Sequence, residues 1–266
     1  MNPPARDRAS QLPVIAQAAF FVSAALWLGA ELSGLAHTSF LSGLVLVTAL
    51  ATTVISLAQS LPAQNVVAVA ALVAFMASLV EIINAKSGIP LGSRVFTDAC
   101  GPRLFGLLPW PMPLLWVTVI LNSRGVARLI LRPWRKIGKY GLWVIGLTAV
   151  LTMVLEINLE PFAAGTGRFW IWSMSSSLPA WHTAPLTNFS GWLVVTVLVL
   201  AFTTPWLINK SAARSSRPDY RPLAVWITLN LLLVAASAME HFWSAVIVGV
   251  VLTSLASVFA IRGGRW

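Results

Sequence analysis

Three glutamates of this sequence stand where a carboxylate is expensive. Glu81 (in Leu79-Val80-Glu81-Ile82-Ile83-Asn84) and Glu156 (in Val154-Leu155-Glu156-Ile157-Asn158) close apolar runs, and Glu160 follows Glu156 by four residues. A carboxylate inside a membrane-spanning helix costs about 2.5 to 3.5 kcal/mol on insertion scales, so each one retained needs a partner, a wet cavity or a chemical task. Residues four apart on a helix share a face, and two carboxyl groups side by side in a low-dielectric site hold one proton between them. A carboxylic acid that carries its proton at neutral pH is a general acid. Asp98, in the stretch after Glu81, is a further acidic candidate. The competing reading is structural: carboxylates at headgroup depth paired with Lys86, Arg94, Arg103 or Arg168. That reading is adopted for Glu31 and Glu240, whereas the repeated surroundings of Glu81 and Glu156 favour chemistry.

Aromatic residues gather in the same stretches. Of the 13 tryptophans, Trp110, Trp116, Trp170, Trp172, Trp181 and Trp192 fall close to the carboxylates. Aromatic faces there suit a long apolar ligand and stabilise a passing cation. Trp27, Trp134, Trp206 and Trp266 are assigned to the interfacial belt and ordinary lipid contact. Asn188, just inside an apolar run, needs a hydrogen-bond partner for its amide. Arg94 and Thr97, with Asp98, read as a solvated loop, and His37, His182 and His241 as hydrogen-bonding groups at helix ends.

The elements that position these residues follow one plan twice. An apolar helix ends in a glutamate, a loop rich in Gly, Pro and aromatics follows, and the next apolar helix opens with Pro and Trp. The separation is 35 residues from Glu81 to Trp116 and 36 from Glu156 to Trp192, which makes the two segments a candidate internal repeat of helix hairpins.

Composition supplies the rest of the frame. With 58% hydrophobic residues, 10% charged residues and a mean hydropathy of +0.81, the chain holds several apolar runs of bilayer length. The expected fold is all-α, a polytopic transmembrane bundle forming one integral membrane domain over residues 1–266. Eight spans are expected, over 13–36, 39–59, 65–85, 106–123, 140–159, 186–208, 222–239 and 242–261. Two boundaries carry little signal. Past the short fourth span Arg124, Arg128 and Arg132 line one face as an interfacial continuation would, and the seventh and eighth meet at Met239-Glu240-His241 with no Gly or Pro. The first apolar run is too long for a signal-peptide core and reads as a retained helix.

The net charge of +10 sits in short loops beside these helices, where it meets anionic headgroups rather than nucleic acid. A cytoplasmic N-terminus puts twelve Lys and Arg inside, from Arg6 and Arg8 to Arg262 and Arg265, and only Lys86, Arg94, Arg103 and Arg168 outside. The positive-inside rule therefore places both termini in the cytoplasm and the acidic residues near the outer face. Cys100 is the single cysteine, so an internal disulfide is excluded, and three histidines offer no cluster at metal-ligand spacing.

The ordered motifs also carry a family resemblance. Glu81, Lys86 through Gly92, Gly101-Pro102-Arg103-Leu104-Phe105-Gly106 and Pro111-Met112-Pro113-Leu114-Leu115-Trp116 form the first half of the pattern. Glu156 with Glu160-Pro161, Trp170-Ile171-Trp172 and Pro185 through Trp192 form the second. Together they resemble the membrane-integral carotenoid biosynthesis family that includes carotenoid hydratases of the CruF type, over a core of about residues 75–205. The chain departs from the family pattern at Ser93 through Phe96, where tyrosines are usual, and at Glu156 and Glu160, where aspartate is favoured.

The resemblance implies addition of water to the terminal double bond of an acyclic carotenoid end group in the bilayer, giving a tertiary alcohol, with no metal or cofactor. Glu156 or Glu81 would then be the acid, and Glu160 or Asp98 would position the water. Phe105, Trp110, Trp116, Trp170, Trp172, Asn188 and Trp192 would surround the substrate. The chemistry suits the residues, since protonating a trisubstituted alkene puts positive charge on a tertiary carbon beside aromatic faces and carboxylates. A prenyltransferase would need Asp-rich magnesium clusters, an oxygen-dependent hydroxylase a His-rich set and a flavin desaturase a Gly-x-Gly-x-x-Gly fingerprint, and the sequence has none of these. A proton-coupled carrier and a non-catalytic carotenoid-binding protein are the alternatives.

Overall fold

In a computed structural model of the chain, residues 5–34, 39–173, 179–208 and 218–266 are described. His37, Lys210, Arg214 and Arg217 lie outside them. Among the described residues the apolar runs form eight helices, each long and apolar enough to cross a membrane: α1 (Ala5–Leu32), α2 (Ser39–Ala58), α3 (Ala63–Ser87), α4 (Pro111–Ile130), α5 (Tyr140–Glu160), α6 (Leu186–Thr203), α7 (Arg221–Met239) and α8 (Trp243–Gly264). The expected polytopic bundle is therefore the observed one.

Helix α4 is its axis. Its membrane span is 67% buried, against 28% for those of α2, α3 and α8, and it packs on α2, α3, α5, α7 and α8. In a bilayer, apolar residues face lipid at no cost, so polar side chains decide which helix is enclosed. On α4 these are Thr118, Asn122, Ser123 and Arg124, all buried; Asn122 donates to Thr53 Oγ1 on α2 at 2.6 Å. The outer helices turn Val67, Phe75, Ile247 and Phe259 outward.

Two boundaries differ from expectation. The fourth helix starts at Pro111 rather than 106, because residues 103–109 form a small hairpin, β2 (Arg103–Leu104) with β3 (Leu108–Pro109), turned by Phe105 and Gly106 at positive φ. Pro111 lies in the first turn of α4, where a missing N–H costs nothing. The same helix runs on to Ile130, so Arg124 lies inside the span, 8% exposed, and not on an interfacial continuation. The turn between α7 and α8 is made by His241 at φ 60°, a left-handed residue that neither Gly nor Pro announced.

The connections α3 to α4 and α5 to α6 are the long ones, and each contains a strand followed by a two-residue-strand hairpin: β1 (Arg94–Phe96) before β2 and β3, and β4 (Trp170–Trp172) before β5 (Ala180–Trp181) and β6 (Ala184–Pro185). The candidate repeat thus has one order of strands in both copies, whereas the short helical turns differ, Asp98–Cys100 following β1 and Pro161–Thr166 preceding β4. Its equivalent strands pair with each other, antiparallel, with Arg94 opposite Trp172 and Phe96 opposite Trp170. Consecutive spanning helices alternate in direction, so both long connections sit at one end of the bundle.

Candidate active site

A strand sends alternate side chains to opposite faces. In the β1–β4 ribbon this rule buries Arg94, Phe96, Trp170 and Trp172 and leaves Val95 and Ile171 exposed. The ribbon caps the bundle, and Arg94 is its inward point. Asn84, one turn beyond Glu81 on α3, ties the approach: its amide donates to Gly92 O at 2.8 Å and its Oδ1 accepts from Leu91 N at 2.7 Å. Gly92 has φ +94°, and a Cβ there would stand 2.8 Å from Pro185, so only glycine lets the two connections cross this closely.

Arg94 meets the carboxylates of both segments. Its Nη2 donates to Glu81 Oε1 and Oε2 at 2.7 and 2.9 Å, and its Nη1 lies 3.9 Å from Glu160 Oε1. Burial alone would lower the pKa of this guanidinium; Glu81, Glu160 and Glu156 more than offset that and raise it above its ordinary value. It is a permanent cation, stacked near the rings of Trp170, Trp172 and Phe96 at 4.7 to 5.3 Å. The solvated role expected for Arg94 is therefore wrong: it is buried at the centre of the site, though its exposed neighbour Asp98 fits that description.

The α5 pair behaves as the four-residue spacing requires. Glu156 and Glu160 are both fully buried on one face, and the amide of Asn188 in the first turn of α6 bridges them, donating to Glu156 Oε1 at 2.7 Å and Glu160 Oε1 at 3.1 Å. Trp172 and Trp170 donate their indole N–H groups to Glu160 Oε2 at 3.0 and 3.4 Å. Trp116 donates to Glu81 Oε1 at 3.0 Å and stacks on Trp192 with ring centroids 3.6 Å apart. The Glu156 and Glu160 carboxyl groups hydrogen-bond to each other, and Glu156 Oε2 is the one oxygen of the three residues that accepts from no N–H donor.

Beside the cluster lies an apolar cavity of about 390 Å³. Leu155 and Leu159, the α5 neighbours of Glu156 and Glu160, form part of its wall, together with Trp110, Phe162 and Trp170. Trp170 belongs to both places, lining the cavity while donating to Glu160. Trp27 also lines it, 4% exposed and bonded to Ser42 Oγ at 3.0 Å, so its assignment to the lipid belt is corrected. Cys100 is another wall residue; burial pushes its thiol up to about 12.

The structure thus gathers Glu81, Glu156, Glu160, Trp116, Trp170, Trp172, Asn188 and Trp192 into one cluster and puts Trp110 on the cavity wall. Two candidates stand apart. Asp98 is exposed and makes none of the cluster's hydrogen bonds, and Phe105 is 98% exposed at the tip of the β2–β3 hairpin. Glu31 is half-buried and Glu240 exposed, also outside the cluster. His182 packs against Trp181 and Phe242 near Ser244, where burial lowers its pKa. The residue that sequence reasoning undervalued is Arg94. The available signal was its place as the one arginine in the stretch between Glu81 and Asp98.

Comparison with known proteins gives two matches. A family profile described as carotenoid biosynthesis protein matches residues 40–256. A bisanhydrobacterioruberin hydratase of Haloarcula japonica is 28% identical over 126 residues, covering 46% of this chain and 40% of the relative, so the match spans less than half of either protein. No solved structure matches the chain.

Proposed function

The chain belongs to the carotenoid biosynthesis protein family, and we propose that within it this protein is a hydratase, adding water to the terminal trisubstituted double bond of an acyclic carotenoid end group. The observation that carries this reading is the buried cluster of three carboxyl groups around one guanidinium, set against an apolar cavity that shares Trp170 with it. The similarity to a carotenoid hydratase supports it.

The geometry divides the labour. Glu81, held by Arg94 and Trp116 through both oxygens, fixes the guanidinium. Glu156, hydrogen-bonded to the Glu160 carboxyl and with no N–H donor on Oε2, is the acid. Its proton goes to the less substituted alkene carbon, leaving a tertiary cation on the other. Water adds to that cation and gives its proton to the Glu160 carboxylate, and return of a proton to Glu156 through the pair bridged by Asn188 closes the cycle. Alkene plus water gives tertiary alcohol, with no electron transferred. The negative charge of Glu160 and the ring faces of Trp170 and Trp172 stabilise the cation as it forms.

Access from the cavity requires the Trp170 ring to give way, and its hydrogen bond to Glu160, the longest of the cluster at 3.4 Å, is the weakest tie. With the Lys-rich and Arg-rich end toward the cytoplasm, the cluster faces the outer leaflet and both termini face inward.

The test is expression in a bacterium that accumulates an acyclic or half-cyclised carotene, beside a Glu156→Gln control. A pigment heavier by one water, absent in the control, is expected. Unchanged pigments with both proteins present in the membrane would refute hydration of that end group, and full activity of Glu156→Gln would refute the acid.

A further inference from the structure

We propose that the arginine-lined cavity at the opposite end of the bundle is a phosphate-binding site, filled by the headgroup of an anionic phospholipid or by a free phosphate. This cavity, about 770 Å³, opens among α1, α2, α4 and α7 and takes no part in the reaction above. Five arginines line it: Arg124 and Arg128 from α4, Arg132 and Arg135 just beyond its end, and Arg221 at the start of α7. Among the described residues the wall offers one carboxylate, Asp219, and that group is engaged. It accepts from Ser56 Oγ at 2.5 Å, from Arg221 N at 3.0 Å and from Arg221 Nη1 at 3.5 Å.

The positive-inside tendency explains cations on loops and helix ends, in water. It does not explain Arg124, which is 8% exposed within the α4 span and whose Nη2 donates to the backbone oxygen of Leu207 at 3.1 Å. A carbonyl is neutral, so the guanidinium charge itself is left to the cavity. Cations in membrane-spanning segments mark wet cavities, ion paths or anion partners. The forked donors of arginine match the oxygens of a phosphate two at a time. The remaining wall is mixed: Gln17 supplies a hydrogen-bonding group, and Leu57, Leu121 and Leu129 an apolar flank suited to glycerol and the first acyl carbons.

The experiment uses the full chain in a neutral detergent, probed with phosphatidylglycerol, phosphatidylcholine and inorganic phosphate. Thermal unfolding and native mass spectrometry are the readouts, with chloride at equal ionic strength as the reference. The variants are Arg124→Gln and the double change Arg128→Gln with Arg135→Gln, whose side chains are exposed and so leave the packed interior alone; Lys86→Gln at the other end is the control. We expect phosphatidylglycerol to be retained at least tenfold better than phosphatidylcholine and to raise the melting temperature, with both effects lost in the double variant and kept in the control. Stabilisation by inorganic phosphate without a preference between lipids would assign the site to free phosphate. If neither probe acts beyond chloride, or if the double variant binds as wild type does, the proposal is overturned.

Discussion

Replacing Arg94 by glutamine tests the centre of the site most directly. The substitution removes two hydrogen bonds to Glu81, at 2.7 and 2.9 Å, and a 3.9 Å ion pair to Glu160, while both carboxylates stay fully buried. Breaking a buried pair by deleting one partner costs about 3 to 5 kcal/mol, because the remaining charge keeps its desolvation penalty. For a chain of this size each kcal/mol moves the melting temperature by about 2 to 4 °C, so Arg94→Gln is expected to melt about 6 to 20 °C below wild type. Adding Glu81→Gln removes one uncompensated charge and lets two amides face each other. The double variant should recover a large part of the loss, with a coupling energy of about 2 to 3 kcal/mol. The raised pKa of Arg94 fixes the sign of any pH effect. Its contribution is fully present below the ordinary arginine range and is lost only as pH rises through the still higher folded-state value. The guanidinium itself therefore adds no pH dependence across about pH 5 to 9. Thermal unfolding in detergent, followed by tryptophan fluorescence, measures all of this. An Arg94→Gln protein melting within about 2 °C of wild type, or two substitutions additive within about 0.5 kcal/mol, would refute the assignment of Arg94 as the hub.

Three further outcomes are expected. Glu156→Gln should lower hydration by about 10² to 10⁴-fold, the usual worth of a general acid, whereas Asp98→Asn should stay within about twofold, read from pigment ratios in the engineered host. The Cys100 thiol, raised from 9.0 to about 12, holds about a thousandfold less thiolate at pH 8 than an ordinary thiol, and alkylation of the folded protein should be slower by that factor and rise tenfold per pH unit up to about 12. A Cβ at Gly191 would stand 2.6 Å from Pro90 O, so Gly191→Ala should force α6 off the first connection and cost about 1 to 3 kcal/mol in the same melting assay.

Much of this architecture was legible because a bilayer makes strong demands on sequence. Length and apolarity alone placed eight helices, and the cost of an unpaired carboxylate singled out Glu81, Glu156 and Glu160. The four-residue spacing put the α5 pair on one face, and an amide with nowhere else to bond pointed to Asn188. What stayed hidden depended on chain crossings. Arg94 lies in a polar, glycine-rich stretch whose composition matches any solvated loop, and only its pairing with Trp172, far along the sequence, turns it inward. The hairpin turn and the α7–α8 turn each place a non-glycine residue, Phe105 and His241, at positive φ, which composition does not announce. Asp98 and Phe105 sit in the same stretch as true cluster residues, and proximity along the chain was no guide to proximity in space.

The β1–β4 ribbon also constrains how the protein enters the membrane. Glu81 and Arg94 are 13 residues apart and meet through a local turn, so they can neutralise each other as soon as the first long connection has emerged. Glu156 and Glu160 leave the ribosome some 60 residues later, and their indole and guanidinium partners are in place only after β4 has zipped onto β1. The expected order is that the α3–α4 hairpin inserts with Glu81 and Arg94 already paired and offers β1 as the edge onto which β4 of the α5–α6 hairpin pairs.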